Sequence, residues 1–241
     1  MRVAPKLQHS EVLQGSWSAL QALVLVIAFF VALSLQATAA MAADASDAAL
    51  KQAGLVEPTQ LDSSLVLDIR YATSNNFAGR QVYPSPRCYL REDIARRLLA
   101  VQKQLRAKGL GLKVYDCYRP FSVQEEFWRI MPDQRYVMQP TRDKDGRMVK
   151  SSRHNRGAAV DVTLVDKAGR ELAMPTEYDD FTEKAHRGSP LASSQARKNS
   201  ALLEKAMVAQ GFDPLPTEWW HFDGPGWEEY PPLDLPLPLL K

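Results

Sequence analysis

Segments with the apolar spacing of a helix alternate along the chain with segments that have the two-residue spacing of a strand. Between residues 94 and 105, aliphatic residues recur every three or four positions, and Arg and Lys occupy the other face. This spacing predicts an amphipathic helix over residues 92–108, which Gly109 ends. Ser122 and Glu125 have the spacing of a capping box, which places the start of a second helix at Ser122. The helices predicted besides the first cover residues 48–53, 122–130 and 201–210.

Strand-like alternation is clearest over residues 157–164. Val160, Val162 and Leu164 are expected to face the core, which leaves Asp161 on the opposite face of the strand. The other predicted strands cover residues 65–71, 112–118 and 218–222.

Helices and strands are mixed without a sustained β-α-β alternation. This order predicts one α+β domain, in which helices pack on a mainly antiparallel sheet. Residues 131–150 form a long polar stretch that is typical of a lid or binding loop. The tail over residues 231–241 is rich in Pro and Leu and is expected to be extended.

The N-terminus has the pattern of a targeting segment. Arg2 and Lys6 precede an unbroken apolar run over residues 19–35, and small residues follow it. The pattern predicts a signal peptide over residues 1–43, a mature domain over residues 44–241 and a periplasmic location. An uncleaved N-terminal anchor is the alternative, and only in that case would the protein be attached to a membrane.

The charge balance excludes one class of partner. The formal net charge is only +2, and the basic residues are scattered. A nucleic-acid-binding surface therefore has no electrostatic basis in the sequence, whereas a small neutral or zwitterionic ligand is compatible with it. The sequence leaves the oligomeric state open.

The chain has two cysteines, Cys88 and Cys117. In an oxidising compartment they could pair, but two separate buried thiols are equally compatible with the sequence. Neither belongs to a Cys-x-x-Cys motif, which disfavours a thiolate metal site.

The candidate chemistry lies in two polar clusters. His154 and Asp161 enclose a run of small residues, and His221 stands in an aromatic segment directly after Glu218 and two tryptophans. Two imidazoles and one carboxylate are a suitable ligand set for a catalytic zinc ion, and a nearby carboxylate can act as general base. We therefore predict one zinc site formed by His154, Asp161 and His221, with Glu218 as the base.

The positions of Glu218 and Arg119 are each compatible with two arrangements. Glu218 and His221 are three residues apart, so an ideal strand would place their side chains on opposite faces. Either Glu218 lies at the strand end or the strand bends. Arg119 follows a predicted strand, and its planar guanidinium suits a developing oxyanion, although a surface salt bridge is the alternative. Asp116 could orient Arg119 or pair elsewhere.

These residues resemble the D-alanyl-D-alanine dipeptidases, the group that includes the vancomycin-resistance dipeptidase. The resemblance spans residues 65–222, nearly the whole predicted mature chain. Four stretches carry it: Ile69-Arg70-Tyr71-Ala72-Thr73 with Asn76-Phe77, Tyr118-Arg119-Pro120, Ser152-x-His154-x-x-Gly157-x-Ala159-x-Asp161, and Glu218-Trp219-Trp220-His221-Phe222.

The resemblance implies a D-Ala-D-Ala zinc peptidase, or Hedgehog-like, fold and the same zinc ligands. It further implies Glu218 as catalytic base and Arg119 as transition-state stabiliser, with Tyr71 and Ser152 as substrate contacts. A Met-x-Thr-x-aromatic-Asp segment implies that Asp179 receives the substrate ammonium, although Pro175 replaces the glycine of the family pattern.

The function implied by the resemblance is zinc-dependent hydrolysis of the dipeptide D-Ala-D-Ala, in cell-wall dipeptide turnover or salvage. A zinc D,D-carboxypeptidase that trims longer wall peptides is the nearest alternative. A non-catalytic protein that binds zinc or wall peptides is the alternative from a different class.

Overall fold

The computed structural model describes residues 10–239, and these contain five α-helices and nine short strands. The helices are α1 (Ser10–Gln52), α2 (Pro58–Leu61), α3 (Glu92–Arg106), α4 (Phe121–Ile130) and α5 (Ser194–Val208). The strands are β1 (Leu55–Val56), β2 (Val66–Leu67), β3 (Leu90–Arg91), β4 (Leu110–Asp116), β5 (Thr141–Arg142), β6 (Met148–Lys150), β7 (Ala159–Asp166), β8 (Asp213–Pro214) and β9 (His221–Asp223).

The central sheet has the strand order β2-β4-β7-β9-β8. Only the β2–β4 pair is parallel in this sheet, and the other three pairs are antiparallel. The predicted single α+β domain with a mainly antiparallel sheet is therefore confirmed. Strands β4 and β7 form the longest pairing and hold the middle of the sheet.

Helix α3 supplies one wall of the core. Its apolar positions Ile94, Leu98, Val101 and Leu105 are fully buried, and its charged positions face outward. Strand β7 is buried along nearly its whole length. The face that carries Asp161 is thus enclosed as well as the aliphatic face.

Several predicted boundaries shift for identifiable reasons. Helix α5 begins near residue 194 because the Ser193 hydroxyl accepts a hydrogen bond from the Ala196 N–H. The segment over residues 65–71 forms only the two-residue β2 and then a 3₁₀ turn. The predicted loop over residues 131–150 contains the small β5–β6 hairpin.

The capping box predicted at Ser122 is wrong. Helix α4 begins one residue earlier, with Pro120 as its N-cap and no side-chain cap. The backbone N–H of Ser122 donates instead to Asp234, at 2.8 Å. The cap thus comes from the extended tail, more than a hundred residues along the chain.

The end of helix α1 packs on the domain. Ala43 and Leu50 are buried, and the Asp47 carboxylate accepts hydrogen bonds from Arg87 and Tyr89. The predicted helix over residues 48–53 is the last part of this longer helix.

The first nine residues of the predicted signal segment lie outside the described residues. Within the described part of the chain, no helix combines the length and the apolar character needed to cross a bilayer.

Cys88 and Cys117 form a disulfide, with their Cα atoms 5.3 Å apart. The bridge joins the segment before β3 to the end of β4. Both cysteines are buried, and the next residue along the chain, Tyr118, donates its backbone N–H to Tyr89. The open question of cysteine pairing is therefore answered in favour of the bridge.

Candidate active site

His154, Asp161 and His221 converge in the structure, and all three side chains are buried. The Nε2 atom of His154 lies 3.2 Å from Nδ1 of His221, and Oδ1 of Asp161 lies 3.4 Å from the first and 3.0 Å from the second. Ligand atoms about 2.0–2.1 Å from a tetrahedral metal ion are about 3.3 Å from one another. The three atoms therefore have the spacing of a metal-binding group.

The outward nitrogens of both imidazoles are occupied by acceptors. Nδ1 of His154 lies 2.7 Å from the backbone carbonyl of Cys117, and Nε2 of His221 lies 2.9 Å from Asp223. A carbonyl and a carboxylate can only accept, so these two nitrogens carry the protons. On binding a metal ion, the inward nitrogens would release any proton they carry and present their lone pairs to one point, as metal ligands require.

Local backbone features place these ligands. His154 begins a 3₁₀ turn that ends at Gly157, whose φ of 67° favours glycine. A Cβ atom at Gly157 would also meet the Leu55 side chain at 2.3 Å. On β7, a register shift in the pairing with β4 sets Asp116 opposite Asp161. Such bulges often redirect side chains beside active sites.

Burial and neighbouring charges shift the pKa values of Asp161 and His221. Burial raises the pKa of Asp161, but the two histidines outweigh burial and hold its pKa well below the usual range. Burial lowers the pKa of His221, but hydrogen bonds to Asp161 and Asp223 outweigh burial and raise it to about 10. Tyr178 adds a hydroxyl donor to Asp161 at 2.8 Å. Without a metal, the group thus favours an ionised Asp161 and a protonated His221, and a bound metal ion would replace the His221 proton.

Glu218 lies outside the strand, so strand geometry does not direct its side chain away from that of His221. Strand β9 begins only at His221, and the Glu218 N–H bonds to the Leu215 carbonyl in the preceding turn. Its carboxylate lies 4.0 Å from Nδ1 of His221. Burial raises the pKa of Glu218 to about 7, although the positive charge of His221 opposes this. A carboxylate with a pKa near 7 is suited to accept and return a proton.

Arg119 is a buried residue of the cavity wall and not a surface ion pair. Its Nη2 lies 2.6 Å from Asp116, and its Nη1 lies 2.7 Å from Gln124. The Nε atom also donates to Asp116, at 3.2 Å. These bonds engage three of the five N–H groups and fix the guanidinium plane, which leaves two donors free for a ligand.

Asp179 and Tyr71 form a second polar position in the same cavity. The Tyr71 hydroxyl donates to Asp179 at 3.1 Å, and the Phe77 backbone N–H donates to its other oxygen at 3.2 Å. Burial raises the pKa of Asp179 to about 8 despite these bonds. Asp179 has a φ of 60°, the only positive value for a non-glycine residue in the described chain. Such strain is typical of functional positions.

One cavity of about 370 Å³ joins all the predicted site residues. Ser152 lines it and accepts a hydrogen bond from the His154 N–H at 3.3 Å. Residues 134–138, from the stretch predicted as a lid or binding loop, also line it. The aromatic part of the wall consists of Tyr71, Phe77, Phe127, Tyr136, Tyr178, Phe181 and Trp220.

Four residues of the site were not assigned a role from the sequence. Asp223 is two residues after His221 on β9, so a shared strand face was a signal that could have found it. Tyr178 lay inside a recognised motif without a role. Gln124 lies within the helix predicted over residues 122–130, and Arg153 lies between Ser152 and His154, but no sequence pattern gave either residue a role.

A buried His-Asp-His group with a carboxylate beside it in a cavity defines a metallopeptidase-type site, and comparison with known proteins agrees. The family model described as D-ala-D-ala dipeptidase matches residues 51–233. The chain belongs to this family of metal-dependent peptidases. It is 34% identical over 179 residues to a D-alanyl-D-alanine dipeptidase of Escherichia coli (strain K12), which covers 74% of this chain and 89% of that protein.

Two further relatives carry the same name. The D-alanyl-D-alanine dipeptidase of Streptomyces coelicolor is 30% identical over 179 residues, which cover 68% of this chain and 87% of that protein. The Enterococcus faecium protein is 29% identical over 168 residues, which cover 64% of this chain and 83% of that protein. The family match over residues 51–233 includes every residue of the site.

Proposed function

We propose that this protein is a zinc-dependent dipeptidase that hydrolyses D-alanyl-D-alanine to two molecules of D-alanine. The observation that carries the proposal is one cavity that combines the His-Asp-His group, the Glu218 carboxylate and the partly buried Asp179 carboxylate. A free dipeptide has an ammonium group next to its scissile carbonyl. The Asp179 carboxylate offers this ammonium a counter-charge, and a peptide that is acylated or extended at its N-terminus would leave the carboxylate unpaired.

His154, Asp161 and His221 are the proposed ligands of about one zinc ion per chain. The donor set fits zinc because it combines two imidazoles and one carboxylate, each held by a further hydrogen bond. When bound, zinc supplies a Lewis acid that polarises the peptide carbonyl and lowers the pKa of water.

The protein's own residues would divide the remaining work. Glu218 takes a proton from the attacking water and later returns it to the leaving amine. Arg119 stabilises the developing negative charge through its two free N–H groups. Asp179 and Tyr71 hold the substrate ammonium, and Ser152 contacts the substrate beside the ligand His154.

A dipeptide panel with and without a chelator tests the proposal. D-Ala-D-Ala should be cleaved, L-Ala-L-Ala and an N-acylated D-Ala-D-Ala peptide should be poor substrates, and chelation should abolish turnover until zinc is restored. Faster cleavage of the acylated peptide would favour the D,D-carboxypeptidase. Zinc content without hydrolysis of any peptide would favour the non-catalytic binding protein. Full activity without metal would contradict the zinc site.

We also propose that the protein is exported and works in the periplasm on dipeptide released during wall turnover. The N-terminal sequence pattern supports this, and so does the disulfide, since such bridges persist in oxidising compartments. Cell fractionation followed by N-terminal sequencing tests it. The expected mature N-terminus lies near Ala40 or Ala43, and cytosolic protein with an intact first segment would contradict export.

A further inference from the structure

Arg153 is a cavity-lining residue for which the mechanism above has no use. It lies between Ser152 and His154, and its side chain is about one third exposed, at 30%. Its Nε atom lies 3.3 Å from Oδ2 of Asp223, and its guanidinium carbon lies 4.5 Å from the centre of the Trp227 ring. These two contacts place the guanidinium between Asp223 and the Trp227 ring.

The terminal nitrogens of Arg153 have no hydrogen-bond acceptor among the described residues, which distinguishes it from the other two cations of the cavity. Arg119 is fixed by Asp116 and Gln124. Arg135 is 74% exposed and pairs with Asp133 through two of its nitrogens. Arg153 is therefore the cavity arginine whose terminal nitrogens are all free in the described chain, whereas the two free N–H groups of Arg119 already have a role in the proposed mechanism.

The charge of Arg153 is also incompletely compensated. Asp223 is its only carboxylate partner in the described chain, and the other oxygen of Asp223 accepts from His221 at 2.9 Å. Because Arg153 shares the Asp223 carboxylate with His221, its positive charge is only partly compensated and Arg153 can bind a further anion. Arginine is suited to that role because its planar fork matches a carboxylate.

The order of contacts through the site separates the two charged ends. Asp179 binds Tyr71, whose hydroxyl lies 3.3 Å from that of Tyr178, and Tyr178 donates to Asp161. On the other side of the metal-binding group, the contacts run from His221 through Asp223 to Arg153. Along this series of contacts, the metal-binding group lies between the Asp179 carboxyl group and the Arg153 guanidinium.

We propose that Arg153 binds the C-terminal carboxylate of the dipeptide and thereby selects substrates that end at the second residue. The inference rests on the proposed dipeptidase function and extends it. A zwitterionic dipeptide has its ammonium at one end, its carboxylate at the other and the scissile bond between them. In the cavity, Asp179 would face the ammonium, Arg153 would face the carboxylate, and the metal-binding group would face the scissile bond between them.

The test compares D-Ala-D-Ala with its C-terminal amide, D-Ala-D-alaninamide, in the zinc-loaded enzyme. Removal of a hydrogen bond to a charged group is expected to cost about 10- to 100-fold. Arg153→Gln should lower kcat/KM for the free acid by this factor, mainly through KM, and should leave the amide nearly unchanged. Arg135→Gln, which removes the exposed cation of the same cavity, is the matched control and should keep the preference for the acid.

Three outcomes would overturn the inference. The acid-to-amide ratio could stay unchanged in Arg153→Gln. It could instead collapse in Arg135→Gln. Both substrates could also fall equally in Arg153→Gln together with weaker zinc binding, which would mean that Arg153 acts only through Asp223.

A binding measurement separates this inference from the dipeptidase proposal. Calorimetric titration of the zinc-loaded Glu218→Ala variant with each dipeptide reports recognition without turnover. The acid should bind more tightly than the amide, and the added Arg153→Gln change should remove the difference. If the wild-type protein cleaves neither peptide but this binding difference is present, the proposed reaction fails and the carboxylate site stands. If the acid and the amide bind equally, the carboxylate site fails.

Discussion

Nε2 of His221 and Oδ1 of Asp223 lie 2.9 Å apart on one face of strand β9. The two residues are separated by one position, so the strand itself sets their approach. Asp223 thereby fixes which nitrogen of His221 carries the proton and leaves Nδ1 directed at Asp161, 3.0 Å away. The metal-binding group thus depends on a residue that is not one of its three members.

Asp223→Ala should weaken zinc binding by about 10- to 100-fold, because the second hydrogen bond of a metal-binding imidazole fixes its orientation and raises its basicity. Competition with a chromophoric chelator measures the zinc dissociation constant directly. Asp145→Ala, on the exposed β5–β6 turn, is the control and should bind zinc like the wild type. Equal zinc affinity in the two variants would mean that the Asp223 contact does not serve the metal.

Glu218→Ala should keep zinc and lose about 10²–10⁴-fold in kcat, the usual contribution of a general base. Glu218 is partly buried beside the His-Asp-His group, and its carboxylate lies 4.0 Å from Nδ1 of His221. Zinc content and kcat should be measured on the same preparation. Unchanged turnover would assign the base elsewhere, and loss of zinc would make Glu218 a ligand.

Arg119→Lys should reduce kcat by about 10²- to 10³-fold, as expected for the loss of a positioned oxyanion donor. One ammonium group cannot hold Asp116 and Gln124 in the fork geometry of Arg119 and also present two free donors. A thermal unfolding curve serves as the control, because the buried Asp116 keeps a cationic partner in this variant. A rate equal to that of the wild type would remove Arg119 from the transition state.

The sequence motifs predicted much of the site because the reactive residues lie in a few short stretches. The convergence of His154, Asp161 and His221 follows from motif chemistry even without coordinates. The three-residue spacing between Glu218 and His221 could not be explained from the sequence. The predicted strand over residues 218–222 is too long, because β9 begins only at His221 and Glu218 lies in the turn before it.

Contacts between distant segments were beyond sequence reasoning. The Ser122 capping box is locally reasonable, yet the Asp234 side chain from the tail replaces it. Gln124 reaches Arg119 only because Pro120 starts helix α4 directly after the arginine. Local propensity cannot show such partners, because they depend on where the chain returns in space.

The Cys88–Cys117 disulfide should contribute about 2–4 kcal/mol to stability, since it closes a loop over a sequence separation of 29 residues. The Cys88→Ala/Cys117→Ala double variant should therefore unfold at lower urea concentration. The Cys117 carbonyl also orients His154 at 2.7 Å, so zinc affinity should fall as well. Urea unfolding and chelator competition measure the two effects, and the oxidised wild type is the reference. Unchanged zinc affinity in a less stable variant would limit the bridge to a purely structural role.

Asp179 should make the stability of the ligand-free protein depend on pH. Its pKa is raised from 3.8 to about 8 by burial, so the folded protein holds a proton that the unfolded chain releases. Stability from this group is therefore fully present below pH 3.8 and declines as the pH rises towards 8. Asp179→Asn stays neutral and tolerates the positive φ, so its advantage over the wild type should grow across this range, by at most about 1.4 kcal/mol per pH unit. Urea unfolding of both proteins between pH 5 and pH 8 measures the difference. If the stabilities of the two proteins changed with pH in parallel, the raised pKa of Asp179 would be contradicted. The same variant should bind the dipeptide more weakly at pH 8, because the substrate ammonium loses its counter-charge.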